Sequence, residues 1–479
     1  MRLMPLFRHF CSITQICMML AVIVASIPTA ASVAISQEPE AISSTASDMP
    51  KPAVILIPGI MGSRLSRPGN GQVIWGQGTP RSKDLALGPG NVEEKVNVEL
   101  LRVAEHPVIP NQDVYGSAIG ALDAITRGRH DLFIFPYDWR RDIRETADIL
   151  DTRLLGLRYD QDVKHPEAWN LAGRDVYIVA HSMGGLVAWW WLHHYHGFAD
   201  QPARYPFRSI RHIVLLGTPL DGACDIIRML MEGYQEIPDR SYSPDPLKRI
   251  AYRKLYELFF DDLKSAALTF PSIFQLMPTS GSDENKACLL QALPQGGTKV
   301  LDYFDITSWD NHCPAGTPNC DTLYSTALKN RPDKTRDDHM AWDLTGMDKS
   351  TFMERLKISV DAGKEFRTDM NQSLELSKQF SYPFDITLFG SKKFETTTKL
   401  VVKWVEPLWC VPFTSTCLSP GHFETTMVRP VAGNGDGRVL ESSARPELHH
   451  IQKQLTTSEH GSLLEDDNFL NFITTELLR

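Results

Sequence analysis

The chain has 479 residues, 42% of them hydrophobic and 22% charged, with 49 basic and 58 acidic side chains for a formal charge of −9. The composition is that of a globular protein, and the length allows two or three domains or one domain with large insertions. The acidic balance argues against nucleic acid as a partner and against attraction to anionic lipid as the main binding force, so any membrane contact would be apolar.

The N-terminus reads as an export signal. Arg2 and Arg8 precede an apolar run from Ile16 to Ile27, and small residues follow from Thr29 to Ala34. That order predicts a signal peptide over 1–34 and a secreted or periplasmic protein. A membrane anchor is the competing reading, but the run is short for a spanning helix and Pro28 closes it. Residues 35–50, polar and rich in Ser and Glu, read as a flexible leader.

Beyond the signal stand Cys224, Cys288, Cys313, Cys320, Cys410 and Cys417. An even number in an exported chain suggests disulfides. Local pairs, Cys313–Cys320 and Cys410–Cys417, are the simplest arrangement and leave Cys224 with Cys288. The spacing is not CxxC and no His lies at ligand spacing beside these pairs, so no metal is expected.

Ala53–Ile57 is apolar throughout and predicts a strand buried on both faces, running into Pro58-Gly-Ile-Met-Gly62. Residues 66–100 are rich in Gly, Pro and Asn without a strong period, and read as a long lid-like loop in which Trp75 is a candidate substrate contact. Leu132–Phe135 predicts another short strand. It leads through Pro-Tyr-Asp-Trp-Arg140 into a helix from Ile143 to Leu155, which Asp138 or Asp142 could cap.

Arg174–Val179 predicts the next strand, and Leu186–Leu192 a buried helix. Between them lies Ala180-His-Ser-Met-Gly-Gly185. Strand, serine between small residues, and helix form the context of a nucleophile elbow, which would raise the Ser182 oxygen above a sheet beside a helix N-terminus. A random x-H-S-x-G-G loop is the bland alternative, which the flanking strand and helix disfavour. His212–Leu216 and Gly217-Thr-Pro-Leu-Asp-Gly222 follow. Strands and helices at this spacing make a mostly parallel, doubly wound α/β sheet.

From Ala223 to about Ser381 no central strand is evident. Helical stretches such as Leu247–Leu263, with Leu247, Ala251, Leu255, Leu258 and Phe259 on one face, predict an inserted helical cap. A lipid-facing lid is the sharper reading of that helix. The strand pattern resumes at Phe384–Phe389, followed by a hairpin-like pair, Thr396–Val405 and Phe423–Val431. The expected division is therefore a core over 51–222 and 382–479 around a cap over 223–381.

A serine nucleophile needs a base, an orienting acid and an oxyanion site, and in this class of fold the order is Ser, acid, His. Asp436 lies in Gly433-Asn-Gly-Asp-Gly437, which is also an ordinary turn sequence. His460 lies in a loop before the last helix. His449 and His450 compete but sit in a strand-like run, and His193, His194 and His196 lie on the helix after the elbow. His181 would point away from the nucleophile. One oxyanion N–H should come from Met183, the other from the 58–62 turn.

Together, Val-Ile-Leu-Ile-Pro-Gly-Ile-Met-Gly-Ser, Pro-Tyr-Asp-Trp-Arg, Ala-His-Ser-Met-Gly-Gly, Gly-Thr-Pro, Gly-Asp-Gly and the late His460 resemble the lecithin:cholesterol acyltransferase family, which includes phospholipid:diacylglycerol acyltransferases and lysosomal-type phospholipases. The resemblance implies an α/β-hydrolase fold with a cap after Gly-Thr-Pro. It implies Ser182 as nucleophile, Asp436 as acid, His460 as base, and Met61 and Met183 as oxyanion donors. It also implies acyl transfer from a lipid ester at a membrane or vesicle surface, with no cofactor. Water in place of the alcohol would make a phospholipase or esterase of the same residues. A lipid-binding module with a dead site is the non-enzyme alternative, against which Ser, Asp and His in order weigh strongly. Animal members clamp the segment after the oxyanion turn with a disulfide, and here residues 62–223 contain no cysteine.

Overall fold

A computed structural model describes residues 50–88, 95–106, 111–155, 165–194, 209–232, 263–279, 284, 287–293, 296–309, 340–405, 408–410, 417–419, 422–428 and 434–478, with side chains described outside 232 and 404–433. The expected signal peptide, nearly all of the 35–50 leader, most of the 247–263 helix, Cys313 and Cys320 lie outside the described residues.

Six parallel strands form the central sheet: β1 (Ala53–Ile57), β2 (Asp131–Ile134), β3 (Val176–His181), β4 (Ile210–Leu216), β5 (Asp385–Ser391) and β6 (Gln452–Thr456), in the order β6-β5-β4-β3-β1-β2. The helices that matter below are α1 (Gly116–Thr126), α2 (Ile143–Arg153), α3 (Met183–His194), α4 (Cys224–Glu232), α5 (Lys349–Ser377) and α6 (Asp467–Phe472). The unbroken apolar run of β1 has its cause here, since all five of its residues are buried. Ala53, Ile55 and Ile57 face a core shared with α2, α3 and α5, while Val54 and Leu56 face a second core with α1 and α6. Each large side chain so buried contributes about 1.5–3 kcal/mol. Asp142, one of the two expected caps, is the N-cap of α2 and accepts the Arg144 N–H at 2.8 Å. From Met183 to Leu192 α3 is buried on every side, and the indoles of Trp189 and Trp191 find acceptors in Ser373 Oγ (3.0 Å) and Asp151 Oδ1 (3.1 Å).

Two expectations need correction. Residues 66–100 are not a plain loop. Ser63–Ser66 pairs with Val73–Trp75 on one side and Asn97–Leu100 on the other, and a helical turn spans Ser82–Leu85. Strands of three or four residues are too short to show a period in sequence. The 223–381 segment is not helical alone either. It holds α4 and the 29-residue α5, but also the strands Leu289–Ala292 and Thr298–Val300. These join Lys399–Val405 and His422–Val428 in a second, four-stranded sheet. The expected hairpin is therefore present, but it extends the accessory sheet, which draws residues from both sides of 381/382.

Cys224 and Cys288 are disulfide-bonded, joining the start of α4 to the accessory sheet. The backbone sets 410 opposite 417 across a short antiparallel pair, and the side chains of both lie outside the described residues.

Candidate active site

Ser182 stands alone between the end of β3 and the start of α3, with φ 53. A non-glycine residue adopts that region only where its surroundings enforce it. Here the Ser182 N–H donates to Leu216 O at 2.8 Å, tying the turn to the end of β4. The smallness required two residues later has an identifiable source: a Cβ on Gly184 would fall against the carbonyl oxygens of Ile57 and Pro58. Ala180 is paired with Ile57 in the same sheet.

The structure brings to this serine Asp436, from a turn that follows an accessory-sheet strand, and His460, from the loop after β6. His460 Nε2 lies 2.8 Å from Ser182 Oγ, and His460 Nδ1 lies 2.7 Å from Asp436 Oδ2. The other carboxylate oxygen, Oδ1, accepts the backbone N–H groups of Arg438 (3.0 Å) and Val439 (2.8 Å). Burial would push the Asp436 carboxyl up, but the adjacent His460 and the two backbone donors outweigh it and hold it below the usual carboxylate range. Asp436 is therefore an anion at neutral pH, and His460 Nδ1 is the donor in their bond. Close approach also explains Gly217, whose φ is +57. A Cβ there would come 3.1 Å from both Asp436 Oδ2 and His460 Nδ1.

The Asp436 turn is anchored outside the central sheet. Asp225, at the start of α4, accepts from Arg228 Nε (2.7 Å), Thr397 Oγ1 (3.0 Å) and Arg438 Nη1 (2.8 Å). Thr396 Oγ1 accepts the Gly437 N–H at 2.9 Å.

The turn after β1 lies directly behind Ser182, since a Cβ on Gly59 would sit 2.9 Å from Ser182 Cβ. Gly62 N–H donates to Gly59 O at 3.1 Å, and Met61 has φ 62. A positive φ at the third position alone is the pattern of a type II turn, where glycine is the usual occupant. The Pro-Tyr-Asp-Trp-Arg segment holds both sides of this turn. Tyr137 Oη donates to Pro58 O (2.8 Å), Tyr137 N–H to Ser63 Oγ (3.0 Å), and the Trp139 indole to Ser63 O (3.1 Å). Met61 N–H has no hydrogen-bond partner among the described residues, and Met183 is the first residue of α3, whose N–H has no acceptor within the helix.

Trp75 is half-buried. Its indole donates to Met61 O at 3.0 Å and its ring meets Trp139 edge-on at 5.2 Å. His449 and His450 fall in a turn before β6, and His193 bonds Trp189 O and Tyr382 Oη away from the serine. Two residues escaped sequence reasoning: Tyr115, and His181 as a partner of other site groups. His181 does turn from Ser182 Oγ, but its ring joins Tyr115 and the His460 backbone. Nothing in the local sequence around Tyr115 signals this, because its partners lie 56 and 66 positions away. Among the described residues no three His, Cys, Asp or Glu side chains are grouped to hold a metal, and no helix is long and apolar enough to cross a membrane.

Residues 109–255 match the family model described as lecithin:cholesterol acyltransferase. That stretch contains Pro-Tyr-Asp-Trp-Arg, the elbow and Gly-Thr-Pro. The chain is 35% identical over 98 residues to the lysosomal phospholipase A and acyltransferase of Bos taurus, and 34% identical over 108 residues to that of Homo sapiens. These matches cover 20% and 22% of this chain and only 21% and 23% of the relatives. A chain in the crystal structure of the Tle4–Tli4 complex superposes with a TM-score of 0.52 at 15% identity, over 90% of this chain and 98% of that one, a likeness of fold. On an α/β-hydrolase scaffold, the chain is thus similar to the lecithin:cholesterol acyltransferase family in the segment that carries its elbow.

Proposed function

We propose that the protein is a serine O-acyltransferase that moves a fatty acyl group from a phospholipid or other lipid ester to an alcohol. The observation that carries this reading is the line Ser182 Oγ, His460, Asp436, with contacts of 2.8 and 2.7 Å. In the proposed reaction Ser182 Oγ attacks the acyl carbonyl and His460 Nε2 takes its proton. Asp436 holds Nδ1–H and stabilises the imidazolium. Met61 and Met183 N–H groups receive the oxyanion. His460 then returns the proton to the leaving alcohol, and a second alcohol releases the acyl group from Ser182.

The relatives named above are called both phospholipase A and acyltransferase. Water as the acceptor is therefore the second reading, and exclusion of water from the acyl-enzyme decides between them. A catalytically dead lipid-binding module remains the least supported reading, because serine, imidazole and carboxylate are in hydrogen-bonded order. Export through a signal peptide over 1–34 belongs to the same proposal, and the Cys224–Cys288 disulfide fits an oxidising compartment. Contact with the lipid surface is proposed as peripheral and apolar, since the chain is acidic.

The test incubates the purified protein with phospholipid vesicles, with and without a sterol or simpler alcohol, at low and moderate salt. Acyl ester of the added alcohol is expected, at a yield little changed by salt. Free fatty acid alone would favour hydrolysis. Ser182→Ala should lose fluorophosphonate labelling and at least about 10⁴-fold of turnover while still folding. Retained turnover in that variant would remove Ser182 from the mechanism.

A further inference from the structure

A continuous line of hydrogen bonds runs behind the nucleophile and joins the turn after β1 to the loop that carries His460. Gly59 N–H donates to Tyr115 Oη at 2.7 Å, Tyr115 Oη lies 2.7 Å from His181 Nδ1, and His181 Nε2 lies 3.0 Å from His460 O. Both side chains are buried, Tyr115 at 4% and His181 at 7% exposure. Tyr115 also spans the turn it holds, since a Cβ on Gly62 would come 2.7 Å from its ring edge, at Cε2. The ends of this line fix its proton order. An amide N–H can only donate and a carbonyl oxygen can only accept. One arrangement satisfies every group: Gly59 N–H to Tyr115 Oη, Tyr115 O–H to His181 Nδ1, and His181 Nε2–H to His460 O.

We infer that Tyr115 and His181 are positioning residues that lock the oxyanion turn and the base-bearing loop to one another, with His181 held as the neutral Nε2–H tautomer. This rests on the serine mechanism proposed above. A proton on His181 Nδ1 would face an Oη that already accepts from Gly59, and the tyrosine O–H would lose its only acceptor among the described residues. It would also set a cation beside His460, whose ring centroid is 5.1 Å away, just where an imidazolium must form. The titratable groups facing His181 are Tyr115, His460 and Asp436. Burial, with His460 adding to it, pushes the His181 imidazole down to about 3, in keeping with a neutral ring.

Tyr115→Phe removes one oxygen and leaves both Gly59 N–H and His181 Nδ1 without partners. The expected result is a fall in kcat of about ten- to a hundredfold on a short soluble ester, the range that unpaired buried groups would take from the barrier, with KM within about twofold. His181→Gln, whose amide could still donate to His460 O, should recover part of what His181→Ala loses. Nitrogen NMR of the histidine rings supplies a readout that needs no catalysis. It should show His181 as the Nε2–H tautomer, neutral at pH 5, with a mixed tautomer in Tyr115→Phe. An Nδ1–H tautomer in the intact protein, titration of His181 near pH 6.5, or unchanged kcat in Tyr115→Phe would overturn the inference. If the intact protein neither labels at Ser182 nor turns over esters, the proposed reaction falls, and the NMR result still decides the hydrogen-bonded line.

Discussion

Asp436 is held by more than its histidine. With Oδ2 on His460 and Oδ1 on two backbone N–H groups, its orientation is over-determined, so substitution by asparagine should keep the geometry and change the chemistry. An amide nitrogen placed at Oδ2 would face Nδ1 as a donor and force the imidazole proton onto Nε2, opposite Ser182. Asp436→Asn is expected to cost about 10⁴ in turnover while the protein still folds. Asp385, exposed at the N-terminal start of β5, is the control, and Asp385→Asn should stay within about twofold. Inactivity of the control with activity in Asp436→Asn would put the acid elsewhere. Ser182 and His460 stand in local contexts that sequence can show, small residues in a strand-to-helix turn and a loop before the last helix, whereas the glycine-flanked turn of Asp436 is an ordinary turn sequence that only the family resemblance singles out. Tyr115 was not legible, because its role exists only after α1, the turn after β1 and the end of β3 have come together.

The elements that could be read were those whose burial writes a local pattern. β1 and β4 are apolar nearly throughout because helices cover both faces of a parallel sheet. The two accessory-sheet strands outside the expected hairpin, Leu289–Ala292 and Thr298–Val300, wrote no such pattern. Thr298–Val300 is only Thr-Lys-Val, with a single apolar side chain, and Leu289–Leu290–Gln291 pairs with Leu400–Val401–Val402, more than a hundred positions away. The Ser63–Ser66 sheet escaped for the same reason, and its recognition changes the reading of Trp75. Donating to Met61 O and packed on Trp139, Trp75 links that small sheet to the turn after β1, proposed above to receive the oxyanion. Trp75→Ala should therefore lower kcat by about ten- to a hundredfold, less than the 10²–10³ expected for removing an oxyanion donor itself. The loss should be equal on a short soluble ester and on vesicle lipid. A loss confined to vesicles would return Trp75 to the lipid surface as a substrate contact.

At the scale of the whole molecule, folding buries the rings of His181 and His212 and partly buries that of His193. Burial pushes the His181 imidazole down to about 3, and those of His193 and His212 down to about 4. Each is satisfied as a neutral ring, His193 between Trp189 O and Tyr382 Oη, His212 on Thr387 Oγ1. An unfolded chain protonates all three near pH 6.5. Between about pH 6.5 and 4 these three rings make the unfolded state bind more protons than the folded one, so their contribution to stability rises with pH across that window, opposed toward its lower end by the Asp148, Asp221 and Glu465 carboxyls that burial pushes up. The contribution is full above about 6.5 and falls as the pH drops, with His181 extending the loss toward 3. Asp225 and Asp436 act in the same direction but lower down. Burial raises each carboxyl, and the Arg228 and Arg438 partners of the one and the His460 and backbone partners of the other outweigh it. Their contribution is lost only as the pH falls below the ordinary carboxylate value of about 3.9. Denaturant unfolding at pH 7.5, 6.5, 5.5 and 4.5, with the disulfide intact, should show stability dropping steadily below 6.5. Each proton taken up on unfolding makes the slope about 1.4 kcal/mol per pH unit. His212→Gln, which keeps a partner for Thr387 and lies away from Ser182, should reduce the slope by about one proton. Stability that is flat or rising as the pH falls from 6.5 to 4.5 would mean that these rings are protonated in the folded protein, and with them the fixed proton order behind Ser182 would fail.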